Sequence, residues 1–368
     1  LVKPDSLPRM DFSKGIPPES CTLVVIPSML ASTRHIEDLI EALEVRYLAN
    51  LDQNLHFCLL TDFLDAKEET MPDDKVLLQV ARLGIETLIE KYRDTKGGQF
   101  FLLHRPRQWN PNEKVWMGYE RKRGKLIELN SFLRGGAKDR FSLIIGNAEI
   151  LQKIKYVITL DTDTQLPRDS ARQCVGAIAH PLNCAQYNEE RRCITGGYGV
   201  LQPRVDLSLP GSNRSWYARF CSGEPGIDPY TRVVSDIYQD LFGEGSFIGK
   251  GIYNVDVFNQ VLDGRFPENR ILSHDLLEGC YARAGLLSDV QLYEEYPSRY
   301  SSDVSRRHRW VRGDWQIASW LLPHVPSFSN QREKNPLSRL SKWKIFDNLR
   351  RSLIPSTLML LFLLGWMV

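Results

Sequence analysis

In VITLDTDTQLP, residues 157–167, an apolar, β-branched run ends in two aspartates one residue apart, Asp161 and Asp163. An extended chain turns successive side chains to opposite sides, so residues i and i+2 aim both carboxylates into one small space. Two like charges held so close repel unless a cation lies between them. Hard oxygen ligands that leave room for a phosphate suit Mg²⁺ or Mn²⁺. The same residues also suit a solvated turn closed by Pro167, because aspartate is favoured in turns.

Four further stretches carry polar chemistry. KRGKLIELN (122–130) sets Arg123, Gly124 and Lys125 at a helix start, where free backbone N–H groups and cations both favour a phosphate. GEGSFIGKG (243–251) has four glycines in nine residues, so its backbone at Gly245, Ser246 and Gly249 can approach a sugar closely, or can simply turn. ILSHDLLEG (271–279) sets His274 and Asp275 between apolar neighbours; Asp275 suits a general base and equally a helix N-cap. SRRHRWVRGDWQ (305–316) packs Arg306, Arg307, Arg309 and Arg312 among Trp310 and Trp315. Arginines among indoles either stack on single-stranded nucleic acid or clamp a diphosphate while tryptophan stacks on a sugar. Confinement of the cations to a dozen residues, with a net charge of only +2, favours the clamp and argues against a nucleic-acid partner.

These stretches need a scaffold. Strand-like runs occur at TLVVIP (22–27), LHFCLLT (55–61), QFFLLH (99–104) and KYVITL (155–160). Between them lie helical stripes: Ile36, Leu39, Ile40, Leu43 and Tyr47; Leu77, Ala81, Ile85, Leu88 and Tyr92; Leu126, Leu129 and Leu133. Strands alternating with helices predict an α/β fold, a mainly parallel sheet with helices on both faces, in which ligands bind at the carboxyl ends of strands. Asp62 directly follows the second run, and Asp161 and Asp163 follow the fourth. After residue 170 the pattern loosens, as in GGYGVLQPRVDLSLPGSNRSWYARF, where an α/β enzyme would build its acceptor surface.

Seven cysteines, an odd number without a CxxC pair, favour reduced thiols over a disulfide framework or a zinc site. Residues 1–20 read as the flank of a longer polypeptide and 21–330 as the catalytic domain. Residues 331–352, containing PLSRLSKWKIFDNLRRS, read as an amphipathic helix whose Arg339, Lys342, Lys344, Arg350 and Arg351 suit a lipid interface. Residues 353–368, LIPSTLMLLFLLGWMV, carry no charge and read as the start of a transmembrane helix, a full span of which takes about 20 residues. A lysine and arginine excess on that flank predicts an inner-membrane protein with its catalytic domain on the cytoplasmic side.

The order Asp62, then Asp161 and Asp163, then Asp275, then Arg309-Trp310 ahead of an apolar segment resembles the processive inverting glycosyltransferases with D, DxD, TED and QxxRW motifs. More narrowly, DTDTQLPRDS, GEGSFIGKGIYNVDVF, SHDLLEG and RRHRWVRGDWQ resemble the glycosyltransferase family 84 module of cyclic β-1,2-glucan synthases. SHD stands where TED is usual, and Arg306 takes the glutamine position of QxxRW. The resemblance implies a glycosyltransferase-A fold and inverting transfer of glucose from UDP-glucose to the 2-hydroxyl of a growing β-1,2-glucan. It further implies that Asp161 and Asp163 hold Mg²⁺ or Mn²⁺ and that Ile26, Pro27, Thr61 and Asp62 surround uridine. Arg123, Lys125 and Arg309 would then meet the phosphates, and Asp275 would take the acceptor proton. Gly245, Ser246, Gly249, His274, Arg306 and Trp310 would face the glucan. A metal-dependent nucleotidyltransferase and a catalytically silent glucan-binding module of a membrane assembly are the competing functions.

Overall fold

The longest unbroken apolar stretches of the first half are the middle of one sheet. In a computed structural model, residues 6–136, 138–221, 236–271, 275–328 and 331–367 are described; His274 lies outside them. The main sheet has eight strands: β1 (Thr22–Leu30), β2 (Leu55–Phe63), β3 (Phe100–His104), β4 (Leu143–Ile145), β5 (Tyr156–Thr159), β6 (Val200–Leu207), β7 (Gly251–Asn254) and β8 (Ala284–Glu294). Their spatial order is β8-β6-β7-β5-β1-β2-β3-β4. β1 pairs in parallel with β2 and β5, β2 with β3, and β6 with β8; β7 is antiparallel to β5 and β6, and β4 to β3. All but β4 and β7 therefore run the same way, as the alternation of strands and helices predicts.

Alternate residues of the strands feed two cores. Val24, Ile26, Phe57, Leu59, Phe100 and Leu102 meet helices α1 (Thr33–Ala49), α2 (Asp74–Lys91) and α4 (Ser170–Ile178), through Ile36, Leu43, Ala81, Ile85 and Val175 among others. Leu23, Val25, Cys58, Leu60, Phe101 and Leu103 meet α3 (Arg121–Leu133), α5 (Val255–Leu262) and α6 (Asp275–Ala282) on the other face. Period-2 alternation in strands buried on both faces gives this division directly. The helical stripes expected at Ile36–Tyr47, Leu77–Tyr92 and Leu126–Leu133 are α1, α2 and the second half of α3. β1 runs three residues past the expected end at Pro27, because β2 continues beside it as far as the Leu30–Phe63 pair. The first described residues pack on the domain: Leu7 and Ile16 are buried, and Met10 N–H donates to Gly176 O at 2.9 Å.

All seven cysteines are free thiols, five of them buried. Past α7 (Tyr300–Gln316), one continuous helix, α8 (Arg339–Met367), holds both the basic stretch and the apolar run. One side of its first turns, Ser341, Lys344, Ile345, Asp347 and Leu349, is buried against the body, and Ile345 and Leu349 join the core. Trp343 and Phe346 are exposed with ring centroids 5.6 Å apart. The stretch expected to lie in a lipid interface is thus docked on protein along one side and shows aromatic rings on another. From Leu353 to Met367 the helix is exposed, and the whole of Arg339–Met367 is, by length and composition alone, long and apolar enough to cross a membrane.

Candidate active site

Two strand ends make the site. β5 stops at Thr159, and the chain turns at once: Thr164 N–H donates to Asp161 O at 3.1 Å. Buried Arg46 of α1 holds this turn from below, donating to Thr162 O at 2.8 Å and to Thr164 O at 2.7 and 3.0 Å. Gln165 then stitches the turn to the end of β8, its N–H donating to Tyr293 O at 2.7 Å. That stitch brings Glu294, the last residue of β8, beside the two aspartates. One carboxylate oxygen from each of Asp161, Asp163 and Glu294 lies within 4.8 Å of the others.

Two lysines partly balance this charge. Lys122, at the start of α3, donates to Asp161 Oδ1 at 2.6 Å and to Gly249 O at 2.8 Å. Lys250 lies 3.1 Å from Asp161 Oδ2 and pairs with Glu294. Burial alone would raise the Asp161 pKa, but the two ammoniums hold it well below the usual carboxylate range. Asp163 behaves oppositely: burial, then the Glu294 and Asp161 charges, push its carboxyl up to about 6. Burial would lower both lysines, yet Asp161 with Asp275 raises Lys122, and Asp161 with Glu294 raises Lys250. Three hard oxygen donors, one of them under net repulsion, fit a divalent cation.

Asp275 begins α6 next to this centre. Gly249 has φ +83°, and a Cβ built there would lie 2.8 Å from the Asp275 carboxyl carbon and from both its oxygens. Any side chain at 249 would therefore be strained and would press on Asp275. Asp161, Asp163, Gly249 and Asp275 are thus brought together, joined by Lys122, Lys250 and Glu294. Sequence reasoning missed the last three. The KRGK stretch pointed to a helix-start cation, but it is Lys122 that reaches Asp161.

The remaining expected residues sit around this group. Asp62 is buried in a bidentate pair with Arg105, 2.8 Å for each contact, with Lys125 Nζ at 3.3 Å; Arg105 also holds Glu128 at 2.7 Å. Lys125 donates in addition to Ser28 O, so it ties β1 to β2 at their carboxyl ends. Thr61 is fully buried, its Oγ 2.8 Å from His104 Nδ1. Ile26 belongs to the core, while Pro27 beside it is half-buried. Arg123 pairs with Glu120 at 2.5 Å and lies over the Phe266 ring. Gly245 and Ser246 are buried where their loop passes β8.

On α7, Arg306 lies over the rings of Tyr296 (5.5 Å) and Trp310 (4.7 Å) and donates to Asp303 Oδ1 at 3.0 Å. Tyr296 follows Glu294 by two residues, which fixes this end of α7 near the end of β8. Trp310 is half-buried and Arg309 exposed.

The fold and cluster define a mixed α/β domain with an acidic, lysine-buttressed centre at the carboxyl ends of its strands. No protein-family model matches the chain. Over all 368 residues it is 46% identical to the cyclic beta-(1,2)-glucan synthase NdvB of Rhizobium meliloti (strain 1021), a homology that makes it similar to one module of a glucan synthase. It spans 13% of that protein's length.

Proposed function

We propose that this chain is an inverting glucosyltransferase module of glycosyltransferase-A type, moving glucose from UDP-glucose to the 2-hydroxyl of a growing β-1,2-glucan. One observation carries the reading: similarity along the whole of this chain to a 13% stretch of a cyclic β-(1,2)-glucan synthase, in a chain whose DxD turn, Glu294 and Asp275 converge on one centre. Inversion needs a single displacement with one base and no covalent nucleophile. The acceptor O2 bonds to the anomeric carbon as the bond to the phosphate oxygen breaks with its electron pair leaving on UDP. Asp275 takes the hydroxyl proton.

Asp161, Asp163 and Glu294 would hold Mg²⁺ or Mn²⁺, which when bound supplies Lewis-acid neutralisation of the diphosphate. Lys122 and Lys250 orient Asp161 and add positive charge at the same place. Pro27 and the Asp62–Lys125 pair at the ends of β1 and β2 line the uridine side. Ile26, Thr61 and Arg123 support it from beneath, through the core, His104 and Glu120. Arg309 meets the diphosphate from α7. Gly249, Arg306 and Trp310 face the glucan, while Gly245 and Ser246 fix the course of the loop that carries Gly249. The exposed apolar end of α8 and its cations Arg339, Lys342 and Arg350 suit a bilayer with the catalytic body on the cytoplasmic side, within a longer polypeptide.

The test is incubation of membrane-inserted protein with UDP-glucose and Mn²⁺. Release of UDP supports the reading. Release of pyrophosphate from a nucleoside triphosphate and a sugar phosphate would indicate a nucleotidyltransferase instead, and binding of glucan without turnover a silent module.

A further inference from the structure

The glycine-rich loop is anchored to α8 by one buried cation. Lys344 Nζ, on a side chain 3% exposed, donates to Glu244 Oε1 at 2.9 Å, to Gly245 O at 2.7 Å and to Glu244 O at 3.3 Å. An ammonium has three N–H donors, so this set uses all of them on one loop. On its other side Gly245 is fixed by its N–H, which donates to Ala284 O of β8 at 2.8 Å. The chain then runs straight to the reacting centre. Phe247 packs on Gly279 of α6, Ile248 N–H donates to Gln202 Oε1 at 3.0 Å, Gly249 faces Asp275, and Lys250 reaches Asp161 and Glu294. Five residues separate the α8 anchor from Lys250, a span of at most about 18 Å. The same helix also buttresses α7: Trp315 Nε1 donates to Ser352 Oγ at 3.2 Å, and Asn348 Nδ2 to Asp314 Oδ1 at 3.2 Å.

Resting on the glucosyltransferase reading, we infer that Lys344 is a positioning residue: through Glu244 and Gly245 it sets the height of Gly249 over Asp275, and so aligns the acceptor. The helix that carries the apolar run thereby becomes part of the acceptor side of the site, and docking of α8 is coupled to transfer. Donor binding depends on β1, β2 and the DxD turn, which Lys344 does not touch, and on Lys250, which is held in place separately by Asp161 and Glu294. A loop displaced by about 1 Å misaligns the acceptor hydroxyl, and misplacement of that size costs on the order of a hundredfold in rate. Water, which needs no alignment by the loop, can still attack the anomeric carbon, its proton going to Asp275 and UDP leaving.

The measurement uses the full chain in membrane vesicles with UDP-glucose labelled in the sugar. It compares label transferred to glucan with label released as free glucose, alongside UDP-glucose affinity. In Lys344→Met the transferred-to-free ratio should fall by about tenfold or more, with donor affinity within about twofold of the parent. An unchanged ratio overturns the inference, even if total turnover falls, because loss of folded protein lowers both products alike. The single substitution would strand Glu244 as a buried charge, so the double variant Glu244→Gln, Lys344→Met removes both charges together. It should keep the depressed ratio, since the Gly245 carbonyl has lost its donor; a parental ratio in the double variant also overturns the inference. If the parent itself transfers no glucose, it is the glucosyltransferase reading that fails.

Discussion

Asp163 is the carboxylate that the rest of the site does not balance. Asp161 has two lysines and Glu294 has Lys250, whereas Asp163 faces both of those acids. Its folded pKa of about 6 lies above the ordinary 3.8, so the folded state binds this proton more tightly than the unfolded one. Its contribution to stability is then fully present below about pH 4 and lost as pH rises through about 6. Without metal, Asp163→Asn should melt at a higher temperature than the parent above pH 6, with the gap closing toward pH 4; a lower melting point at pH 7.5 would contradict the account. The same variant should need more Mn²⁺, and high Mn²⁺ should restore its activity only in part, because an amide replaces a charged ligand. Turnover unchanged at limiting metal would restore the simple turn. Asp161, Asp163 and Asp275 are legible in the sequence because each sits where an apolar run stops or a helix begins. Glu294 was not legible: it ends a mixed strand, 130 residues from Thr164, and the Gln165–Tyr293 bridge brings it in.

At the scale of elements, α1 acts on the site through its buried arginine. Arg46→Met would remove the donors to Thr162 O and Thr164 O and loosen the DxD turn without touching a carboxylate. A partner one step behind a metal ligand is typically worth 10–100-fold in metal affinity, so the Mn²⁺ needed for half-maximal activity should rise by about that factor. An unchanged metal requirement would leave Arg46 as packing alone. α8 divides near Ser352. Ending the chain after about residue 352 should give a more soluble protein with the parent's fold. Ending it before 338 strips Ile345 and Leu349 from the core, about 1.5–3 kcal/mol for each fully buried side chain, and should lower the melting temperature sharply. Gel filtration and thermal melts on both truncations check this. β1, β2, β3 and β5 were readable as apolar runs because they are buried on both faces. β6, β7 and β8 were not: Pro203 interrupts one, Gly251 opens another of only four residues, and β8 mixes Ser288, Asp289 and Gln291 among its apolar positions.

At the scale of the molecule, the strand ends, α6 and the loop that Lys344 of α8 holds converge on one acidic centre. On the proposed reading, the uridine side would rest on the ends of β1 and β2, the metal side on β5 and β8, and the acceptor side on α6, α7 and a loop fastened to α8. On that reading, this centre transfers glucose with Asp275 as base. That role is tested most directly by glucosyl transfer from labelled UDP-glucose in membrane vesicles holding Asp275→Asn, with the parent alongside and UDP-glucose affinity measured on the same preparations. Asparagine keeps the size and caps a helix about as well as aspartate, but it cannot accept the proton. Loss of a general base typically costs 10²–10⁴-fold, so transfer should fall by about that much while UDP-glucose still binds. Transfer within about threefold of the parent, far short of the loss a missing base causes, would contradict the account and leave Asp275 as a helix cap.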